Sequence, residues 1–366
     1  MGESLRDERG SILIWAAAGL ATLIAFAGLA TDLPYLYVAR QQAQTAADAG
    51  ALAGAYALFL SEAKAVADAK AFAGRTPIIG QLLTPEQVDV SLSSNGGSTP
   101  DGVRCVTYRD VTHRNPMQLF MLPVLQLFGL GRTTADVAAT ATARLVNTCS
   151  SDCFKPWSPP DRWIDRDGNG EFDPAIDTYT PPTEPGATGY RYPADQGVRV
   201  VLKVGSPSET IVPSIFYPVD FPAINRGTPL VGADAYRENI LTCAPGTFVS
   251  VGDQLKVEPG NMVGPTQQGV QALIDQDPTA FWDPECNCLN SPLGVSSPRL
   301  VRISFFDPRY PVMSGRKQIV VGNVGGFFLE GLTSEGDVIG RYTLVPSRGG
   351  TPNAVCSLLK AVQLVQ

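Results

Sequence analysis

One histidine, His113, is all that 366 residues provide, and no Ser or Cys motif stands beside it. GxSxG, HExxH, a phosphate-binding loop and GxGxxG after a strand are all absent, so the usual signatures of hydrolase, zinc-protease and nucleotide chemistry are missing. The expectation is a protein that is not an enzyme. Charge is scarce too: 28 Lys and Arg against 35 Asp and Glu give a formal −7, and no dense basic run appears. Nucleic acid is thereby excluded as an expected partner, because phosphate backbones are held by clustered Lys and Arg. One stretch lacks charge altogether. From Ile12 to Ala30 the only polar side chain is Thr22.

About 20 such residues rise roughly 30 Å as a helix, the thickness of a bilayer's hydrocarbon core, and a helix satisfies its own backbone groups in lipid. A cleaved signal peptide would have a shorter apolar run ending at a small-residue cleavage site and a break. Here the pattern runs on into Ala-rich helical sequence, so a retained single-pass anchor is expected. Arg6 and Arg9 precede it and the first base after it is Arg40. The positive-inside bias predicts a cytoplasmic N-terminus in a bacterial inner membrane, with the remainder periplasmic or extracellular.

All seven cysteines follow the apolar run, at 105, 149, 153, 243, 286, 288 and 356. In an oxidising compartment they predict disulfides with one cysteine left over. Cys149 and Cys153 could close a short loop, and Cys286 and Cys288 are expected to bond distant partners because a CxC ring is strained. Zinc is disfavoured, since no second pair stands at ligand spacing.

From Asp32 to Gly74 the sequence is rich in Ala, Leu, Gln and Glu, with no proline after Pro34. The apolar helix should continue outward through Leu58, about 70 Å in all, with Pro34 the point at which it would kink. Ala39, Ala43, Ala46, Gly50, Ala53 and Ala57 place a small-residue seam on one face, for a partner helix in an oligomer or for the protein's own body. Leu52, Tyr56, Phe59 and Leu60 form a bulkier stripe of core character.

Arg9-Gly10, Asp32, Tyr35 to Tyr37, Arg40, Gln44 and the run Ala46-Ala47-Asp48-Ala49 through Ala55 resemble the N-terminal segment of TadE/TadG-like Flp pilus-assembly proteins. The resemblance covers about residues 6–60, and the Cys153-Phe-Lys-Pro-Trp157 segment is similar to extended TadG-type members. It implies a pilus or envelope assembly role with other assembly proteins as partners. Prepilin-like members are cut after a glycine and carry a Glu five residues later; counted from Gly10 that position is Trp15, which argues for an uncleaved anchor.

Three segments are expected: the anchor and extended helix (1–75), a small β-containing segment packed on it (76–148), and a mostly β extracytoplasmic domain (149–366). QVDVSLSS and RCVTYRDV alternate apolar and polar residues and predict a hairpin, and ADVAATATARLV a further strand on the same sheet. Residues 117–131, broken by Pro123, read as a core or membrane-surface helix. Beyond Cys149, Pro, Gly and Asp dominate. Strands are expected in VRVVLKVG, TIVPSIFY, RLVRISFF, KQIVVGNV and GFFLEGL, and a short helix over Val270–Gln276. The 36 Gly and 30 Pro fit this α+β class with a loop-rich β body.

The sharpest local motif is Asp165-Arg-Asp167-Gly-Asn169-Gly170-Glu171-Phe172-Asp173. Oxygen side chains at positions one, three, five and nine with Gly at six match most of a calcium loop, where alternate side chains converge on a hard cation. Position twelve is Ile176 and not Glu, and Asp177 comes one step late. The expected ligands are Asp165, Asp167, Asn169, Glu171, Asp173 and Asp177, with Ca²⁺ in a structural role. Asp89-Val-Ser91-Leu-Ser93 matches the metal motif of von Willebrand A domains in letters only, since an alternating strand runs through it. Two functions follow: a membrane-anchored assembly component of a Flp-type pilus, or a membrane-tethered calcium-dependent adhesion or binding module.

Overall fold

The computed structural model describes residues 9–95, 99–128, 132–203, 217–244, 246–258, 260, 262–310, 318–347, 355–356 and 358–365. The chain divides into two compact units, one of residues 1–54, 65–143 and 364–366, the other of 55–64 and 144–363. A long apolar helix is followed by a mostly strand body, the expected class.

The first unit is built on helix α1, Arg9–Ala57. Ala, Leu and Gln carry helix propensity through Pro34, whose ring removes one hydrogen bond without ending the helix. Helix α2, Glu62–Gly74, buries Ala65, Ala69 and Ala73, one residue per turn on one face. That alanine row meets glycines: a Cβ on Gly50 would stand 2.9 Å from Ala69 O, and one on Gly54 3.0 Å from Ala69 Cβ. Strand β1, Val88–Ser93, pairs antiparallel with β2, Gly102–Arg109, from Val88 opposite Thr107 to Ser93 opposite Gly102. This is the expected hairpin, although residues 96–98 of its turn lie outside the described ones. Strand β3, Val137–Thr148, adds to β2 in the same sheet with alternating burial over its first nine residues.

The apolar island departs from expectation. Met117–Gln118 pairs with Thr134–Ala135, and only Leu122–Phe128 turns helical, as a 3₁₀ helix. Pro123 lacks an N–H, and in the first turn of a helix none is needed. Residues 129–131 lie outside the described ones.

The second unit holds β4 (Trp157–Ser158), β5 (Arg199–Lys203), β6 (Tyr217–Asp220), α3 (Ala233–Leu241), β7 (Gln254–Val257), α4 (Val263–Gln276), β8 (Leu300–Phe306), β9 (Gln318–Leu332) and β10 (Val338–Tyr342). The sheet runs β4-β6-β7-β9-β10-β5, and β8 also pairs with β9. Two expected strands, KQIVVGNV and GFFLEGL, are one 15-residue strand, β9. Gly325 and Gly326 are not turn residues there. A Cβ on Gly325 would meet Phe305 at 2.8 Å, and one on Gly326 would overlap Val345. Phe305 joins a cluster with Trp157, Tyr236, Ile240, Val270, Leu273 and Phe327, while its neighbour Phe306 joins Phe154, Val219, Leu255, Ile319 and Val321. The sheet is therefore covered on both faces, α3 and α4 supplying one of them. Within that face Trp157 Nε1 donates to Tyr236 Oη at 2.9 Å, so the burial strands neither polar atom. α4 starts seven residues earlier than expected, its Gly264 and Pro265 tolerated in the first turn. The strand expected in TIVPSIFY falls on 210–216, outside the described residues; only Tyr217 begins β6.

The disulfides correct the sequence expectation. Cys149 bonds Cys356, Cys153 bonds Cys243, and Cys105 is free and buried. Cys149 and Cys153 do not close a loop because the extended Ser150–Ser151 strand lies between them, and four extended residues span about 13 Å, beyond disulfide reach. Cys286 bonds Cys288 and not distant partners. The pair sits where Phe281–Asp283 folds back on Cys288–Asn290, and Asn287 takes φ +51, a left-handed conformation that Asn tolerates.

Candidate functional site

The calcium-like loop is closed at its base. Ile164 and Thr178 exchange backbone hydrogen bonds of 3.0 and 3.3 Å. Inside, Asp165 Oδ1 accepts the Gly168 N–H at 2.7 Å and Oδ2 the Gly170 N–H at 2.8 Å. Gly168 and Gly170 take φ of +71° and +77°, where a side chain would strain the turn. Asp177 Oδ1 accepts from Arg166 N–H and Oδ2 from Asp173 N–H, both at 2.9 Å. These bonds bring Asp165, Asp167 and Asp177 together: one carboxylate oxygen of each lies within 4.8 Å of the others.

The remaining expected ligands are placed differently. Asn169 donates its Nδ2 to Asp167 Oδ2 at 2.9 Å and accepts the Glu171 N–H at 2.6 Å. Asp173 Oδ1 accepts from Ala175 N–H, and neither Asp173 nor Glu171 joins the carboxylate cluster. Asp177 is buried and Ile176 exposed, so the residue one step late points inward and the twelfth does not. The N–H of Gly170, followed by that of Gly168, holds Asp165 below the usual carboxylate range. Three like charges at this separation cost about 1 kcal/mol per pair in water. A hard divalent cation would reverse that sign, and an all-oxygen donor set suits Ca²⁺.

Beside the loop lies Asp161, a residue the sequence reading passed over because nothing in SPPDRW marks it for burial. It is fully buried; its Oδ1 accepts from Arg162 N–H at 2.9 Å and Tyr190 N–H at 3.2 Å, and its Oδ2 from Tyr179 Oη at 3.0 Å. Burial pushes it up to about 6 against these donors. With Trp163, Asp165 and Tyr190 it lines a cavity of about 310 Å³. A second buried carboxyl, Asp220, is pushed well above its ordinary range by burial and by the Glu258 carboxylate beside it, with Lys256 Nζ 4.0 Å away a partial offset. Asp220 and Glu258 are 2% and 3% exposed, so the pair is closed off from solvent.

Both acids hold a proton in the fold at a pH where the unfolded chain has released it, so stability falls as pH rises through that window. The second unit should melt higher at pH 5 than at pH 8, with the loss beginning near pH 4, passing Asp161 near 6 and continuing as Asp220 ionises. Asp220→Asn, which keeps a donor and removes the titration, should flatten the upper part. A melting temperature that rises from pH 5 to 8 would contradict this.

His113 pins a turn: its Nδ1 lies 2.8 Å from Asp110 Oδ1 and its ring stacks on Tyr108. Asp89, Ser91 and Ser93 all lie within β1, as the alternation indicated.

The other candidate site is α1 itself. Among the described residues one helix is long and apolar enough to cross a membrane, Ile14–Ala57. Ile14, Trp15, Leu20, Leu23 and Phe26 are each more than half exposed, so none of the described residues covers that surface. Thr22 and Thr31 donate their hydroxyls to Ala18 O and Ala27 O, both at 2.8 Å, so neither hydroxyl is left unpaired on the stretch. Residues 10–57 match the family model for Flp pilus-assembly TadE/G-like proteins. No curated protein and no solved structure matches the chain.

The Tad-like segment ends where α1 ends, at Ala57. Its Ala-rich part is spent within the first unit. Ala39, Ala43, Ala46 and Gly50 are buried and Ala53 half-buried; Thr107 Oγ1 donates to Ala43 O at 3.0 Å, and Gly50 faces Cys105. The seam thus serves the protein's own body. In the bulkier stripe Phe59 is core, packed with Leu145 and Leu344, while Tyr56 is exposed.

Proposed function

We propose that the protein is a membrane-anchored structural or assembly component of a Flp-type pilus or related envelope system, in the inner membrane with its N-terminus cytoplasmic and its body outside. The match of the Tad family model to the exposed apolar helix carries this reading. The work is mechanical and not catalytic: the helix holds the body at the membrane, and partners meet what α1 leaves exposed beyond the bilayer. Tyr37 and Val38 remain open there, so any helix-mediated oligomer forms through that face and not through the buried alanine seam. A photo-crosslinker in place of Tyr37, activated in intact membranes, is expected to give adducts with inner-membrane pilus-assembly components. Recovery of the monomer alone would count against the role.

The carboxylate cluster favours a second reading, a tethered adhesion or binding module whose loop takes up Ca²⁺. Asp165, Asp167 and Asp177 would hold the ion, which would stiffen the loop by replacing their mutual repulsion. At 10 mM Ca²⁺ an extracellular-type site of about 10⁻⁴ to 10⁻³ M gives roughly 1.4 to 2.7 kcal/mol. The expected result is a melting shift of several degrees that Asp165→Ala with Asp167→Ala abolishes. An unchanged melting temperature would remove calcium from both readings.

A further inference from the structure

Asp32 is the first charged residue after the apolar run, and its side chain is fully buried. Its Oδ1 accepts the Phe120 N–H at 3.0 Å, and its Oδ2 those of Met121 at 3.0 Å and Leu122 at 2.8 Å. These donors lead into the 3₁₀ helix Leu122–Phe128, so one carboxylate of α1 caps a helix about ninety residues away. Apolar contacts flank the cap. A Cβ on Gly28 would lie 3.2 Å from Leu122 Cδ2, and the Tyr35 and Phe120 rings meet edge to face at 4.9 Å. The island is thereby clamped to α1 at the end of its apolar run.

We propose that this clamped segment is a lipid-facing wedge: Phe120 and the turn after it enter the headgroup and acyl boundary of the bilayer beside the span. Phe120 is 65% exposed and Leu33 61%, although the Phe120 ring also meets Tyr35. Leu29, more than half exposed, stands one turn before Leu33 on α1, so exposed apolar side chains continue from the span to the point where the island is clamped. A helix entering lipid near Ile12 emerges after about twenty residues, which puts Asp32 at the interface. No charge occurs from Asn115 to Gly131, and the exposed Arg114 and Arg132 bracket that stretch, as basic residues do where apolar chain meets phosphates. An acid at that depth needs its charge satisfied, and three N–H groups do this without water.

The wedge rests on the anchor reading, and the experiment separates the two. Cys105 is buried and the other six cysteines are bonded, so single nitroxide labels can be placed at Phe120→Cys, Leu23→Cys and Leu82→Cys in the full chain. The chain is reconstituted in phosphatidylethanolamine and phosphatidylglycerol vesicles, and collision rates with oxygen and with a water-soluble nickel chelate are measured. The expected result is loss of nickel accessibility at 120 as at 23, with 82 remaining open, and recovery of it at 120 alone when Asp32→Ala is added. Free nickel access at 120 with 23 protected would overturn the wedge and leave the anchor. Nickel access at both would overturn the anchor, and spin–spin broadening at 120 would assign the patch to a second copy of this chain.

Discussion

Replacing Cys149 and Cys356 together by serine is expected to cost the second unit about 4 to 5 kcal/mol, a large share of the roughly 5 to 15 kcal/mol that holds an ordinary domain. The bond joins residues 207 apart, and a cross-link stabilises chiefly by removing conformations of the unfolded chain, more so for longer loops. Cys153–Cys243, 90 apart, should cost somewhat less when removed. Cys286–Cys288, only 2 apart, restrains so short a loop that its loss should barely move the transition. Urea denaturation of the oxidised chain and the three double variants tests this order. Equal losses from the first and third pairs would show that local geometry and not loop closure governs them.

The second large effect is expected from Gly50→Val. A Cβ there would lie 2.7 Å from Cys105 Sγ, 2.9 Å from Ala69 O and 3.0 Å from Ala73 Cβ. The Ala69 carbonyl is backbone and cannot swing aside, so helix α2 must move, at roughly 3 kcal/mol or more. Cys105 reports the outcome. Burial, with the Asp89 charge adding to it, pushes its thiol up to about 12, so it should resist alkylation in the parent chain. Gly50→Val should expose it to a thiol reagent at neutral pH, whereas Gly19→Ala, with open space around the position, should not. Protection of Cys105 in the valine variant would refute the close helix packing.

Local pattern made much of this molecule legible. Alternation wrote β3 and the existence of the β1–β2 hairpin, although β2 is buried along most of its length, and unbroken apolar length wrote α1, because a period of two or a charge-free run is a local signal. The glycines of β9 misled for the opposite reason. Gly325 and Gly326 look like a turn in sequence, and only the ring of Phe305 and the side chain of Val345 show why Cβ atoms are missing there. Cysteine pairing was illegible in the same way, since spacing says nothing about which strands the fold brings side by side. In the carboxylate loop the letters announced Asp165 and Asp167. They also offered Asp177 one step late, but could not show that the turn from Asp173 would bring it in while Glu171 and Asp173 stay out. Asp161 gave no signal at all, its burial being set by Tyr179, Tyr190 and the bare face of Gly189.

The clamp between Asp32 and residues 120–122 also bears on stiffness. Pro34 is the one place where α1 lacks a rung of its hydrogen-bond ladder, and a load on the body would bend the helix there first. The attachments at Gly28, Asp32 and Tyr35 straddle it. Like a splint across a fracture, they let a pull on the first unit's sheet reach the apolar stretch as tilt and not as flexing. A helix braced in this way is expected to carry a tilt of its apolar end to the sheet instead of absorbing it at Pro34.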